Sequence, residues 1–323
     1  MESGRCSLGE GKRIGLVFAG GGGKGAYQIG VWKALRQLGL EEQVTAVSGT
    51  SVGALNAALF VQGDLERAVQ VWTELTPTRV LRGNSPQMER LEELADLMGR
   101  CQGGICPKEI PAMLREMGPK LAELSVPPAA LTLSGAWRAL FRGGGALIPF
   151  ARSALAAGAF SQGGLREIVD SALDGEKIAR SAVHSYAACC KIPDLKPQYF
   201  PLWGESEERV AEILLASAAL PMIFPLSRVG KGFYWDGGIP GVGDNVPVRP
   251  LAERESCNTI VAVHLSGERY VNPDQYPDLE IHNIIPSRDL GKVLTGTLDF
   301  SGTHARQRME LGEVDAYEAL ADW

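Results

Sequence analysis

An apolar run that stops abruptly in four glycines dominates the start of this chain. Arg13 to Ala19 (RIGLVFA) has the length of a buried strand, and Gly20 to Gly23 follow it directly. Beyond the glycines, Ala26, Ile29, Gly30, Val31, Ala34, Leu35 and Leu38 recur at the spacing of one helix face. The reading is strand, glycine loop, helix. Gly39 ends that helix, Val44 to Val47 is a second strand, and Val52 to Phe60 is a second helix entered through Ser48-Gly49-Thr50-Ser51. Such alternation predicts an α/β fold with a mostly parallel central sheet and helices on both faces.

From Thr76 to Ala159 the pattern turns helical. Leu91, Leu94, Leu97 and Met98 suggest one helix, Ile110 to Leu124 another and Ala130 to Phe141 a third. A helical insertion between sheet elements, within one domain spanning residues 1–323, is the expectation. The sheet pattern resumes with a helix at Leu165 to Leu173, a strand near Val183 to Cys190 and a helix at Glu208 to Ala218, stopped by Pro221. Two short strands joined at Gly230 to Gly232 come next, then a buried strand at Ile260 to Leu265 and a C-terminal helix over about Ser301 to Leu320.

Composition excludes several classes of function. With 32 Lys and Arg against 38 Asp and Glu, the formal net charge of −6 gives no global field to gather nucleic acid or anionic lipid, so a nucleic-acid partner is not expected. Cys6, Cys101, Cys106, Cys189, Cys190 and Cys257 show no C-x-x-C pairing, which points to free thiols rather than to a disulfide framework or zinc. The opening residues lack an apolar run of signal-peptide length, and a reducing, cytoplasmic setting is the expectation. Residues 43–63 carry no charge but include Gln43, Ser48, Asn56 and Gln62, and read as a buried strand and helix rather than a membrane span.

Three segments can carry chemistry. Gly49-Thr50-Ser51-Val52-Gly53 fits G-x-S-x-G, the strand-to-helix turn that exposes a serine hydroxyl. Gly49 and Gly53 leave room for the turn, and the helix beyond presents first-turn N–H groups toward charge formed in acyl transfer. The loop Gly20 to Gly25, which includes Lys24, can form a nest of amides for an oxyanion. Gly20, Gly22 and Gly25 also match G-x-G-x-x-G, for which Glu41 or Glu42 would meet a ribose, but both precede the second strand instead of ending it. The phosphate-loop motif fails, because Phe18 stands where glycine is needed and Gly25 where Ser or Thr is needed.

A serine nucleophile needs a base. His184, His264, His282 and His304 each lack a distinctive turn context and read as packing or surface residues. Asp236, by contrast, closes an apolar strand and is followed by Gly237 and Gly238, which let another loop approach closely. A partly desolvated Asp236 near Ser51 could take its proton directly. The bland reading of Asp236 is a carboxylate bonded to its own turn.

Taken together, these segments resemble the patatin-like phospholipases. Phe18 to Val31 (FAGGGGKGAYQIGV) is similar to their glycine-rich oxyanion segment, Ser48 to Ala57 to their nucleophile elbow, and Asp236-Gly237-Gly238 to their D-G-G element. Weaker echoes are Gly164-Leu165-Arg166, Ala218 to Pro221 with Phe224-Pro225, Pro286-Ser287, Gly296 to Phe300 and Asp315-Ala316. The resemblance covers roughly residues 12–75 and 160–320. It implies Ser51 as nucleophile, Asp236 as base, and the amides around Gly21, Gly22 and Gly23 as oxyanion hole, with no histidine, metal or cofactor. It also implies phospholipids, lysophospholipids or other acyl lipids as substrates. Trp137, Leu140, Phe141, Leu147, Ile148 and Phe150, around Gly143 to Gly145, would either pack on the core or make a transient peripheral contact with a membrane. A catalytically silent lipid-binding or interaction protein is the competing reading.

Overall fold

The computed structural model describes residues 12–81, 160–221, 223–267, 270–321 and 323. The expected helices between Leu91 and Phe141, the aromatic cluster around Gly143, and Cys6, Cys101 and Cys106 lie outside the described residues.

One mixed sheet organises the chain. Its strands are β1 (Ile14–Phe18), β2 (Val44–Thr50), β3 (His184–Ile192), β4 (Lys196–Pro201), β5 (Ser227–Val229), β6 (Gly232–Asp236), β7 (Thr259–Val263) and β8 (Glu280–Ile284). Strands β3, β2, β1, β7 and β8 lie side by side and parallel. The antiparallel strands β4, β5 and β6 gather at the β3 end. The helices are α1 (Ala26–Gln37), α2 (Val52–Val61), α3 (Leu65–Glu74), α4 (Pro77–Val80), α5 (Gly163–Ala172), α6 (Gly175–Arg180), α7 (Glu207–Ser217), α8 (Arg249–Arg254) and α9 (Gly302–Ala319).

Side-chain alternation along the parallel strands divides the apolar residues between two cores. Leu16, Phe18, Val47, Val261 and Val263 enter the larger core with α1, α2, α3, α7 and α9. Val17, Ala46, Ile260 and Ala262 face the other way, onto Val248 and Leu251 at α8. The helical covering is therefore unequal among the described residues, thick on one face and reduced to α8 and loops on the other. The run 43–63 folds as β2 and α2, and no helix among the described residues is long and apolar enough to cross a membrane.

The register at β3 positions the site. Tyr186 to Ala188 pair with Ser48 to Thr50 of β2 on one edge and with Pro201 to Tyr199 of β4 on the other. Cys189 to Lys191 keep β4 as their neighbour but pair with Asp236 to Tyr234 of β6. So β6 takes the edge that β2 vacates, and because the two run in opposite directions their C-terminal ends meet head-on.

Candidate active site

Ser51 sits at the abrupt junction between β2 and α2, with φ 55° and ψ −122°, a conformation that side-chain-bearing residues rarely adopt. The turn closes only because its neighbours lack side chains. A Cβ on Gly49 would stand 2.1 Å from the Gly53 carbonyl oxygen, and one on Gly53 would stand 2.2 Å from that of Phe18. Ser217, fully buried at the end of α7, holds the strained residue: its Oγ accepts from the Ser51 amide at 2.9 Å and donates to the Ala188 carbonyl at 2.7 Å.

Asp236 ends β6 next to that junction, 4% exposed, with its carboxyl close enough to the Ser51 hydroxyl for that hydroxyl to favour the charged form. The Gly238 amide donates to Asp236 Oδ1 at 2.7 Å, and the Asp236 amide donates to the Ala219 carbonyl at 2.9 Å. Gly237 lies so close to β3 that a Cβ there would be 2.3 Å from the Ala188 carbonyl oxygen. Burial pushes the Asp236 carboxyl up to about 6, against the opposing pull of the Ser51 hydroxyl and the Gly238 amide. A carboxylate with that affinity for protons is a far better base toward a hydroxyl than one in water.

The glycine loop leaves β1 beside Ser51. A Cβ on Gly20 would stand 3.4 Å from that of Ser51. Gly22 to Gly25 form a single 3₁₀ turn that leads into α1. First-turn amides have no acceptor inside their own helix, which leaves them to a ligand. Gly22 has φ +58°, and a Cβ there would lie 2.0 Å from the Thr297 carbonyl oxygen, so conformation and space both demand glycine.

The predicted loop residues divide in their surroundings. Gly20, Gly21 and Gly22 share a cavity with Ser51, Asp236 and Gly238. Gly23 is instead buried, its carbonyl accepting from Arg308 Nη1 at 3.0 Å. The Lys24 side chain runs alongside Gly296, and Gly25 packs against Val52 and Trp72. Glu41, the residue a dinucleotide reading would use, is bound to Trp32 Nε1 at 2.8 Å and to Arg36 Nε at 2.6 Å.

The cavity has a volume of about 200 Å³. Its walls are apolar, with Leu55, Trp72, Leu81, Ile168, Leu214 and Phe224 among them. Asp236 is the one ionisable residue among the described residues that line it. The four histidines lie elsewhere: His184 pairs with Glu255, His264 with Asn283, His282 with Glu280, and His304 with Asp299. No cluster of three or more His, Cys, Asp or Glu side chains suited to a metal occurs among the described residues.

Several supporting residues were not singled out from sequence. Asn56 Nδ2 donates to the Gly25 carbonyl at 2.9 Å and to Gln28 Oε1 at 2.7 Å, while Trp72 Nε1 donates to Asn56 Oδ1 at 2.9 Å. Gln28 Nε2 in turn donates to the Ala19 carbonyl at 2.8 Å, so a buried polar network spans the glycine loop. Arg308, 7% exposed, donates to the carbonyls of Gly23, Asp299 and Thr295 and to Asp299 Oδ2. Asn245 Nδ2 donates to the Gly20 carbonyl, and its Oδ1 lies against Gly238 of the Asp236 turn. Helical or strand periodicity carries no signal for such partners, because the bonds join different elements or loops rather than repeating along one.

A family model described as patatin-like phospholipase matches residues 16–252. Over 52 residues, 16% of this chain, the sequence is 44% identical to lysophospholipase nte1 of Aspergillus terreus. Over an equal length it is 46% identical to the patatin-like phospholipase domain-containing protein ZK370.4 of Caenorhabditis elegans. Those stretches make up only 3% and 4% of the two relatives. Among solved structures, VipD from Legionella pneumophila gives a TM-score of 0.48 at 17% identity, with 96% of this chain and 67% of that one covered. The type III effector protein ExoU gives 0.42 at 16% identity, covering 97% and 53%. With a family model running from within β1 into α8, and so across the elbow, the glycine loop and the D-G-G turn, the chain belongs to the patatin-like phospholipase family of lipid-acting serine hydrolases.

Proposed function

We propose that the protein hydrolyses acyl ester bonds of phospholipids or lysophospholipids through an acyl-enzyme on Ser51. The observation that carries this reading is the neighbouring Ser51 and Asp236 lining one apolar cavity. As Ser51 Oγ attacks the ester carbonyl, Asp236 takes its proton, and the amides of Gly21 and Gly22 face the oxygen that becomes negative. Asp236 then returns the proton to the departing alcohol; a water deprotonated by the same carboxylate attacks the acyl carbonyl, and Asp236 passes that proton to Ser51 Oγ as the fatty acid leaves. The apolar walls suit the acyl chain, and the relatives named as lysophospholipases support a lysophospholipid among the substrates.

The test is mass spectrometry of lipid products from wild type, Ser51→Ala and Asp236→Asn, offered mixed-chain phospholipids, lysophospholipids and neutral esters in detergent and in bilayers. Free fatty acid from wild type and none from Ser51→Ala is the expected result. Lipid binding without fatty-acid release, together with failure of a fluorophosphonate to label Ser51, would replace this reading with a silent lipid-binding protein.

A further inference from the structure

Asn245 follows the D-G-G turn and lines the same cavity as Ser51 and Asp236. It grips Gly20 from two sides. The Gly20 amide donates to the Asn245 carbonyl at 3.2 Å, and Asn245 Nδ2 donates back to the Gly20 carbonyl at 3.3 Å. Its Oδ1 is wedged between the two loops: a Cβ on Gly20 would lie 2.6 Å from it, and one on Gly238 would lie 2.4 Å from it. Gly238 is the residue whose amide holds Asp236.

A trans peptide is planar, so its C=O and the N–H of the next residue project in opposite directions. Fixing the Gly20 carbonyl therefore fixes where the Gly21 N–H points. Glycine on both sides of that bond has no side chain to restrict rotation, so the peptide needs an external restraint. We infer that Asn245 is a positioning residue that aims the Gly21 amide at the developing oxyanion and keeps that amide in register with the Asp236 carboxylate.

This inference rests on the hydrolase reading above. It requires the Asn245 side chain to matter more in the transition state than in substrate binding. A preorganised donor is effective because it need not reorient during the reaction, and a freely rotating Gly20–Gly21 peptide forfeits that advantage.

The experiment compares wild type, Asn245→Ala and the near-isosteric Asn245→Leu, which keeps the shape, stays neutral and has no donor. Each is assayed on a lysophospholipid for kcat and KM, for its rate of inactivation by a fluorophosphonate, and for its thermal midpoint. The expected result is a fall in kcat and in inactivation rate of about 10- to 100-fold in both variants, with KM within threefold and the midpoint retained in Asn245→Leu. An unchanged kcat in either folded variant overturns the inference. So does a loss that appears equally in KM and the thermal midpoint of Asn245→Leu, which would make Asn245 a packing residue. Inactive wild type with an unlabelled Ser51 overturns the hydrolase reading itself, and this inference with it.

Discussion

Asp236 stands opposite Cys189 in the sheet, one residue along β3 from Ala188, the partner of Thr50. That offset of one brings the carboxylate to Ser51, the residue after Thr50, without a long loop to carry it. The positions of the pair are thus set by backbone hydrogen bonding, and Ser217 reinforces the same point by bridging the Ser51 amide to Ala188.

Activity should rise with pH through the Asp236 transition. In the proposed mechanism the group works as the carboxylate, and burial pushes its carboxyl up to about 6, so kcat/KM is expected to climb across pH 5–7 and then level. A pH–rate profile on a neutral ester, whose own ionisation does not interfere, checks this. A profile already flat at pH 5 would contradict a buried base.

The same burial costs stability, and the sign follows from proton counts. An unfolded aspartate ionises near 3.8, whereas Asp236 in the folded protein holds its proton until about 6. Between these values the native state binds the extra proton, so stability falls as pH rises through this window and the penalty is complete above it. Asp236→Asn is expected to abolish turnover while raising stability at pH 8 by on the order of 2–3 kcal/mol, a gain that vanishes near pH 3. Denaturant melts at the two pH values measure the difference.

Ser51 occupies its conformation at the expense of strain. Ser51→Gly should stabilise the fold relative to Ser51→Ala by roughly 1–3 kcal/mol, because glycine adopts φ 55° without a steric penalty. Both variants should be inert toward acyl esters. Thermal midpoints of the two, measured side by side, decide the matter.

Removing the Ser217 hydroxyl leaves the Ser51 amide without its acceptor and the Ala188 carbonyl without its donor. Ser217→Ala is therefore expected to lose about 1–3 kcal/mol of stability and to lower kcat more than it raises KM. Denaturation and steady-state kinetics on the same preparation test both halves.

Leu298 lines the cavity from the loop that packs beside the glycine turn. Leu298→Trp should fill part of that space and shift the preferred acyl chain toward shorter lengths by about tenfold in relative kcat/KM, since an extra methylene in a filled pocket changes selectivity by about 10- to 200-fold. A series of lysophospholipids that differ only in chain length measures the shift.

Much of the frame was readable from sequence. The run at Arg13 to Ala19 became β1, the elbow fell between β2 and α2, and Gly230 to Gly232 joined two short strands. These elements announce themselves through local periodicity and turn chemistry. β4 did not, because Lys196-Pro197-Gln198-Tyr199-Phe200-Pro201 lacks clean alternation and carries two prolines, which an edge strand tolerates where a central one does not. Glu280 to Ile284 escaped notice for a related reason, since β8 lies at the opposite edge and only Ile284 is fully buried. At the site, Ser51 and Asp236 lie within short motifs, whereas Asn245, Ser217 and Arg308 act through hydrogen bonds to other elements and loops. Patterns along the chain reveal the motifs; pairings between remote positions emerge only once the chain is folded.

The meeting of β2 and β6 on one edge of β3 also links folding to chemistry. Side chains alternate between faces at every residue, so a slip of one place in either pairing would turn its inward-facing residues outward. Such a slip would also carry Ser51 and Asp236 apart along the ladder. A misregistered chain would thus be inert as well as unstable, and acylation of Ser51 could serve as a reporter of correct strand alignment.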